Sequence, residues 1–131
     1  WRARAEDVFQ HGLEHLERGI ISNWVTPQFI DSPEADGLRK MLRNTTVEAF
    51  SGCSLAIADT DLTNMNIHGV SAVIVRGAED KLTPQDYAQR LAKKRNAELH
   101  VIPGASHLPN LEKPDALTDE IITFIEKAQT H

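Results

Sequence analysis

"AVIVRGAEDKLTP" (72–84) and "ELHVIPGASHLPNLEKP" (98–114) repeat one pattern: an apolar run, a turn carrying an ionisable residue, and a proline close to the start of a helix. The run Val70-Ser71-Ala72-Val73-Ile74-Val75 is short, β-branched and nearly uninterrupted, as expected of a parallel strand covered on both faces. Thr83-Pro84-Gln85-Asp86 predicts a helix to about Arg95, with Tyr87, Ala88 and Leu91 turned to the core. Leu99 to Ile102 predicts the next strand. Pro114 opens a last helix with Leu117, Ile121, Phe124, Ile125 and Ala128 on one apolar stripe. Strands joined by a helix form a right-handed parallel unit, so both following loops leave the carboxyl edge, where open α/β sheets bind ligands. Asp80 and His107, one in each loop, can therefore meet across an interval of 27 residues. A carboxylate on one imidazole nitrogen fixes the tautomer and leaves the other nitrogen to take a proton from a nucleophile. Taken singly, Asp80 reads as a cap on the turn before Thr83, and His107 as a ring satisfying nearby backbone.

Upstream of Gly69 the pattern is helical. Val8, Leu13 and Leu16 follow Trp1 and Ala5 near helical spacing, with Gly19 as the expected C-terminal cap. Ser32-Pro33-Glu34 supplies an N-cap, a first-turn proline and an acid ahead of Leu38, Met41 and Leu42. Thr45-Thr46-Val47-Glu48 has the spacing of a capping box, opening a helix that turns Val47, Phe50, Ile57 and Ala58 inward. Two parallel strands buried on both faces cannot make a whole sheet, and nothing in this helical half supplies neighbours. The expected architecture is the later part of a larger α/β fold: a helical cap or lid segment over 1–66 and a strand-helix-strand-helix core segment over 67–131.

The totals are those of a globular chain: 131 residues, 40% hydrophobic and 25% charged. A net charge of −5 gives no basic stripe, which argues against a nucleic-acid partner, and no apolar run is long enough to span a bilayer. The single cysteine, Cys53, cannot form an internal disulfide, consistent with a reducing cytoplasm. The first residues resemble neither a signal nor a transit peptide, and without an initiating methionine the chain reads as cut.

With those residues in place, the two loops resemble the closing segments of the α/β-hydrolase superfamily. "GIISNWVTPQF" (19–29), "MLRNTTVEAFSGCSLAIADTDL" (41–62) and "HLPNLEKP" (107–114) narrow the likeness to the 3-oxoadipate enol-lactonases. The resemblance implies a cofactor-free serine hydrolase of lactones or carboxylic esters, with His107 as base and Asp80 as its orienting acid. It further implies a role in aromatic-compound catabolism, and Trp24 as a wall of the substrate pocket. Where the lactonase pattern has a basic residue before this tryptophan, the chain has Asn23, which cannot make a bidentate charged clamp on a substrate carboxylate. Arg39, Arg43 and Arg76 are the alternative cations.

The nucleophile elbow G-x-S-x-G of that superfamily is absent from these residues. Its nearest imitation, Ser51-Gly52-Cys53-Ser54, falls inside a helical pattern, and Cys53 reads as a small buried hydrophobe. His11 and His15, four residues apart, can in principle share a metal, but they lack the glutamate of a zinc-protease motif and read as a solvated face; no metal is expected. His68, His100 and His131 carry no signal. Lys93-Lys94-Arg95 reads as an exposed helix end. The expected partners are a small ester or lactone and the nucleophile-bearing N-terminal half of a hydrolase, with no cofactor and no membrane. The competing readings are a non-catalytic binding module that keeps part of the fold, and a related hydrolase acting on a carbon–carbon bond, an epoxide or a haloalkane.

Overall fold

The computed structural model describes residues 1–62 and 69–129. The expected boundary between residues 66 and 67, and His68 and His131, lie outside the described residues. The chain divides into two compact units, one of residues 1–21 with 33–66 and one of residues 22–32 with 67–131.

The first unit is helical among its described residues. α1 (Arg2–His11) ends at Gly12, whose φ of 78° only glycine adopts freely. Gly12 therefore does the work expected of Gly19, which lies inside α2 (Glu17–Trp24) after a 3-10 turn at Glu14–Leu16. Within the second unit, α3 (Pro27–Ile30) follows Thr26, with its proline in the first turn. α4 (Ala35–Asn44) begins after a turn through Ser32-Pro33-Glu34 rather than at Pro33; it buries Leu38 and Leu42 and leaves Met41 exposed. α5 (Val47–Asp59) is capped by Thr46, which accepts the Ala49 N–H at 3.2 Å. The box expected from Thr45 and Glu48 does not form: the Thr45 hydroxyl donates back to the Met41 carbonyl, and Ala49, at the third position after the Thr46 cap, has no side-chain acceptor to complete one.

In the first unit α5 packs on α1, and the buried apolar residues are Ala5 and Val8 of α1, Leu13, Ile20, Ile21, and Ala35, Leu38 and Leu42 of α4. Ser51 and Ser54, not the larger Phe50 and Ile57, are the buried residues of α5, and the Ser51 hydroxyl donates to the Ala5 carbonyl at 3.2 Å. Small residues on that face let the two helices approach closely. Ile57 is exposed, and so is Cys53, contrary to the buried place expected of it, since both lie off the serine-lined face.

The second unit holds the sheet. β1 (Val73–Gly77) and β2 (Glu98–Ile102) pair in parallel, from Val73 opposite Glu98 to Gly77 opposite Ile102. β1 starts later than the apolar run suggests, and Val70 is exposed. α6 (Gln85–Arg95) connects the strands, buries Ala88 and Ala92, leaves Tyr87 exposed, and closes on Asn96 in the left-handed region. The lysines and arginine of its last turn lie where the helix dipole favours cations. After β2 come α7 (Pro109–Glu112) and α8 (Pro114–Gln129). No residue of α8 is buried, and Ile121, Ile122 and Ile125 are exposed. No helix among the described residues is long and apolar enough to cross a membrane.

Candidate active site

Because the strands are parallel and in register at Gly77 and Ile102, the segments that follow leave one edge side by side. The ladder continues past the strands: Ala78 N–H donates to Ile102 O at 2.9 Å, and Glu79 N–H to Ala105 O at 2.9 Å. This approach requires Gly77, because a Cβ there would sit 2.0 Å from Ser106 O and 2.3 Å from Ala105 O.

The two loops bring Asp80 and His107 together. His107 Nδ1 lies 3.0 Å from Asp80 Oδ2, and with an ionised carboxylate as acceptor the imidazole carries its proton on Nδ1. Asp80 Oδ1 accepts the backbone N–H of Leu82 at 2.8 Å and of Thr83 at 3.0 Å. Asp80 thus also caps its own turn: one oxygen fixes the loop and the other faces the ring. Burial pushes the Asp80 carboxyl up, but the bonds from His107, Thr83 and Leu82 outweigh it, leaving the group below its ordinary value. The Asp80 side chain is 5% exposed while that of His107 is 36% exposed. The acid is held in the protein while part of the ring reaches solvent.

Arg76, on β1, is buried and donates from Nη2 to the Asp80 carbonyl at 2.9 Å. It braces the acid loop from below, and its Nε has no partner among the described residues. Of the other arginines weighed as a clamp, Arg43 makes a two-pronged pair with Glu17 and Arg39 pairs with Asp36. Trp24 is half-buried, and its carbonyl accepts the N–H of Leu108, the residue after His107, at 3.0 Å.

The residue that the sequence reading missed is Glu112. Its carboxylate accepts from Thr26 N, Thr26 Oγ1 and Ser106 N at 2.6 to 2.7 Å. The available signal was an acid five residues after His107 in a segment bounded by Pro109 and Pro114, too short a helix to need it for its dipole. A cleft of about 330 Å³ opens beside these groups, lined by Thr26, Phe29, Glu79, Gly104, Glu112 and Lys113. A larger hollow of about 590 Å³ borders Gly69–Val73 and Glu98, at the amino ends of the strands, away from the paired side chains.

In the helical unit, Asp7 lies within hydrogen-bond distance of both His11 Nδ1, at 3.1 Å, and His15 Nε2, at 3.0 Å. His15 is not on α1 but in the 3-10 turn beyond Gly12. Among the described residues, this is the one group of three such side chains whose ligand atoms, all within 4.8 Å of one another, could hold a common ion. Both rings are exposed to solvent.

The alpha/beta hydrolase family profile matches residues 2–120. The chain belongs to the α/β-hydrolase family. This α/β-hydrolase chain is 29% identical to 3-oxoadipate enol-lactonase 2 of Acinetobacter baylyi over 97% of its own length and 49% of that protein. It is 23% identical to 3-oxoadipate enol-lactonase 1 of the same organism, over 98% of its own length and 50% of the relative. Its fold matches a thermophilic esterase from Thermogutta terrifontis with a TM-score of 0.85, at 22% identity, covering 96% of this chain and 48% of the esterase. It likewise matches the enol-lactonase from Burkholderia xenovorans with a TM-score of 0.82, at 23% identity, covering 96% of this chain and 50% of the lactonase. The chain thus spans about half the length of these relatives, and its helices with two parallel strands are a partial α/β-hydrolase fold.

Proposed function

We propose that the chain carries the acid and base of a hydrolase acting on a lactone or carboxylic ester in the cytoplasm, an enol-lactone being one candidate substrate. One observation carries the reading: His107 Nδ1 lies 3.0 Å from a carboxylate oxygen of Asp80 whose companion oxygen is held by two backbone N–H groups. The ring is thereby fixed in the tautomer that leaves Nε2 free to accept a proton.

In the proposed cycle a serine hydroxyl, outside these 131 residues, loses its proton to His107 Nε2 as its oxygen attacks the substrate carbonyl. His107 then gives that proton to the departing alkoxide or enolate oxygen as the acyl bond breaks. Water repeats the sequence: its proton passes to His107, its oxygen attacks the acyl-serine, and the serine leaves reprotonated. Asp80 stays ionised throughout and stabilises the imidazolium. Trp24 forms part of the wall against which the substrate rests. Asn23 supplies no charge for a substrate carboxylate, which favours a lactone or ester recognised by shape and apolar contact over one held by a charged clamp.

The experiment uses the protein encoded by the whole reading frame in which this chain lies, assayed on an enol-lactone and on p-nitrophenyl acetate. Asp80→Asn is expected to lower kcat by about 10⁴-fold and His107→Ala by about 10⁶-fold. Wild-type turnover in the His107→Ala variant overturns the reading. The 131-residue chain alone is expected to be inert, lacking the nucleophile.

A further inference from the structure

Glu112 joins two stretches of chain that are far apart in sequence. Its Oε1 accepts the Thr26 N–H at 2.7 Å and the Thr26 hydroxyl at 2.6 Å, and its Oε2 accepts the Ser106 N–H at 2.6 Å. The Leu108 N–H adds a fourth bond, to Trp24 O at 3.0 Å. The residues on both sides of His107 are therefore tied to the two residues that flank Val25, itself buried. Both donor residues lie in the interior, Thr26 at 6% and Ser106 at 3% exposure, where charge-assisted bonds are short and strong.

The chemistry asks for a carboxylate. An ionised carboxylate offers acceptors on both oxygens, and all three partners here are donors. A glutamine in the same place keeps an acceptor for Thr26 but turns an NH2 group toward the Ser106 N–H, donor against donor. An alanine strands three polar groups in a poorly solvated place.

We propose that Glu112 is a positioning residue, setting the distance between the Trp24–Thr26 segment and the His107 loop so that a substrate resting against Trp24 meets His107 Nε2. The proposal rests on the reading of His107 as the base. Asp80 orients the ring in its plane; Glu112 locates the loop on which the ring stands. A displacement of about 1 Å at such a site costs on the order of 10²-fold in rate.

The test uses the same whole-frame protein. Glu112→Ala is expected to lower kcat at least tenfold and raise KM, while circular dichroism and the downfield Nδ1 proton of the Asp80–His107 pair are retained. Glu112→Gln, which changes no volume, is expected to fall between the wild type and Glu112→Ala and serves as the readout should the alanine variant not fold. Thr26→Val is expected to cost several-fold in the wild type and nothing in the Glu112→Ala background, the non-additivity of groups sharing one clamp. Unchanged kcat and KM in both Glu112 variants, or full additivity with Thr26→Val, overturns the proposal. One arm does not depend on catalysis: the Ser106 amide proton is expected downfield in the wild type and shifted upfield in Glu112→Gln, and an unmoved signal overturns the clamp even if His107→Ala proves His107 not to be the base.

Discussion

Gly77 is the residue on which the approach of the two loops depends. Any Cβ there would overlap the carbonyl oxygens of Ala105 and Ser106, which are backbone atoms and cannot swing aside. Gly77→Ala is therefore expected to destabilise the second unit by about 3 kcal/mol or more and to lengthen the Asp80–His107 bond, read from urea unfolding and from loss of the downfield Nδ1 proton. A wild-type unfolding midpoint would contradict the argument. Asp80 and His107 were legible as a pair because each ends an apolar run on the same sheet edge, and chain order requires no further information. Cys53 was misplaced for an equally physical reason: helical periodicity tells which residues share a face, but not which face a neighbour covers. Glu112 was not legible, since its partners lie 86 residues upstream at Thr26 and six upstream at Ser106, and no local pattern announces them.

At the level of elements, the strands, the connecting helix and the final helix follow from apolar runs and proline punctuation, with ends shifted by a few residues. The shifts have local causes, as where Gly12 rather than Gly19 ends α1 and Thr46 rather than Thr45 caps α5. One contact between elements carries a pH dependence. His100 on β2 hydrogen-bonds to Glu120 of α8 and to Glu98, the latter at 3.1 Å, and these acids, Glu120 foremost, raise its pKa above the ordinary 6.5. Lys127 also faces the cluster, 3.4 Å from Glu98. A raised histidine contributes stability that is fully present below its unfolded value and is lost as pH rises through its folded value. The urea midpoint is expected to fall as pH rises above the ordinary histidine value of 6.5, and Glu120→Gln to flatten that fall. An identical pH profile in the variant would count against this pairing as its source. The ring is 26% exposed, so the effect is modest.

For the whole molecule, the uncovered surface is informative. α8 is amphipathic by sequence yet buries no residue, and Val101 of β2 is exposed along with Ile121, Ile122 and Ile125 of the helix. The relatives extend for about twice this length, and we propose that their additional half corresponds to what covers such surface in the complete protein. The isolated chain is accordingly expected to self-associate and to bind hydrophobic dyes, and Ile122→Lys with Ile125→Lys to suppress both. A strictly monomeric, dye-free chain in sedimentation at high concentration would refute this. The expectation of neighbouring strands came from two apolar runs that cannot form a whole sheet, whereas nothing in the sequence specified where the contacts of residues 22–32 would fall.

The solvent-facing position of Cys53 has a practical corollary. As the sole thiol in the chain, set on an outer face of α5 in the helical unit, it offers a single alkylation point outside the unit that contains Asp80 and His107. A maleimide fluorophore attached there marks the helical unit alone, with no competing label and no engineered cysteine.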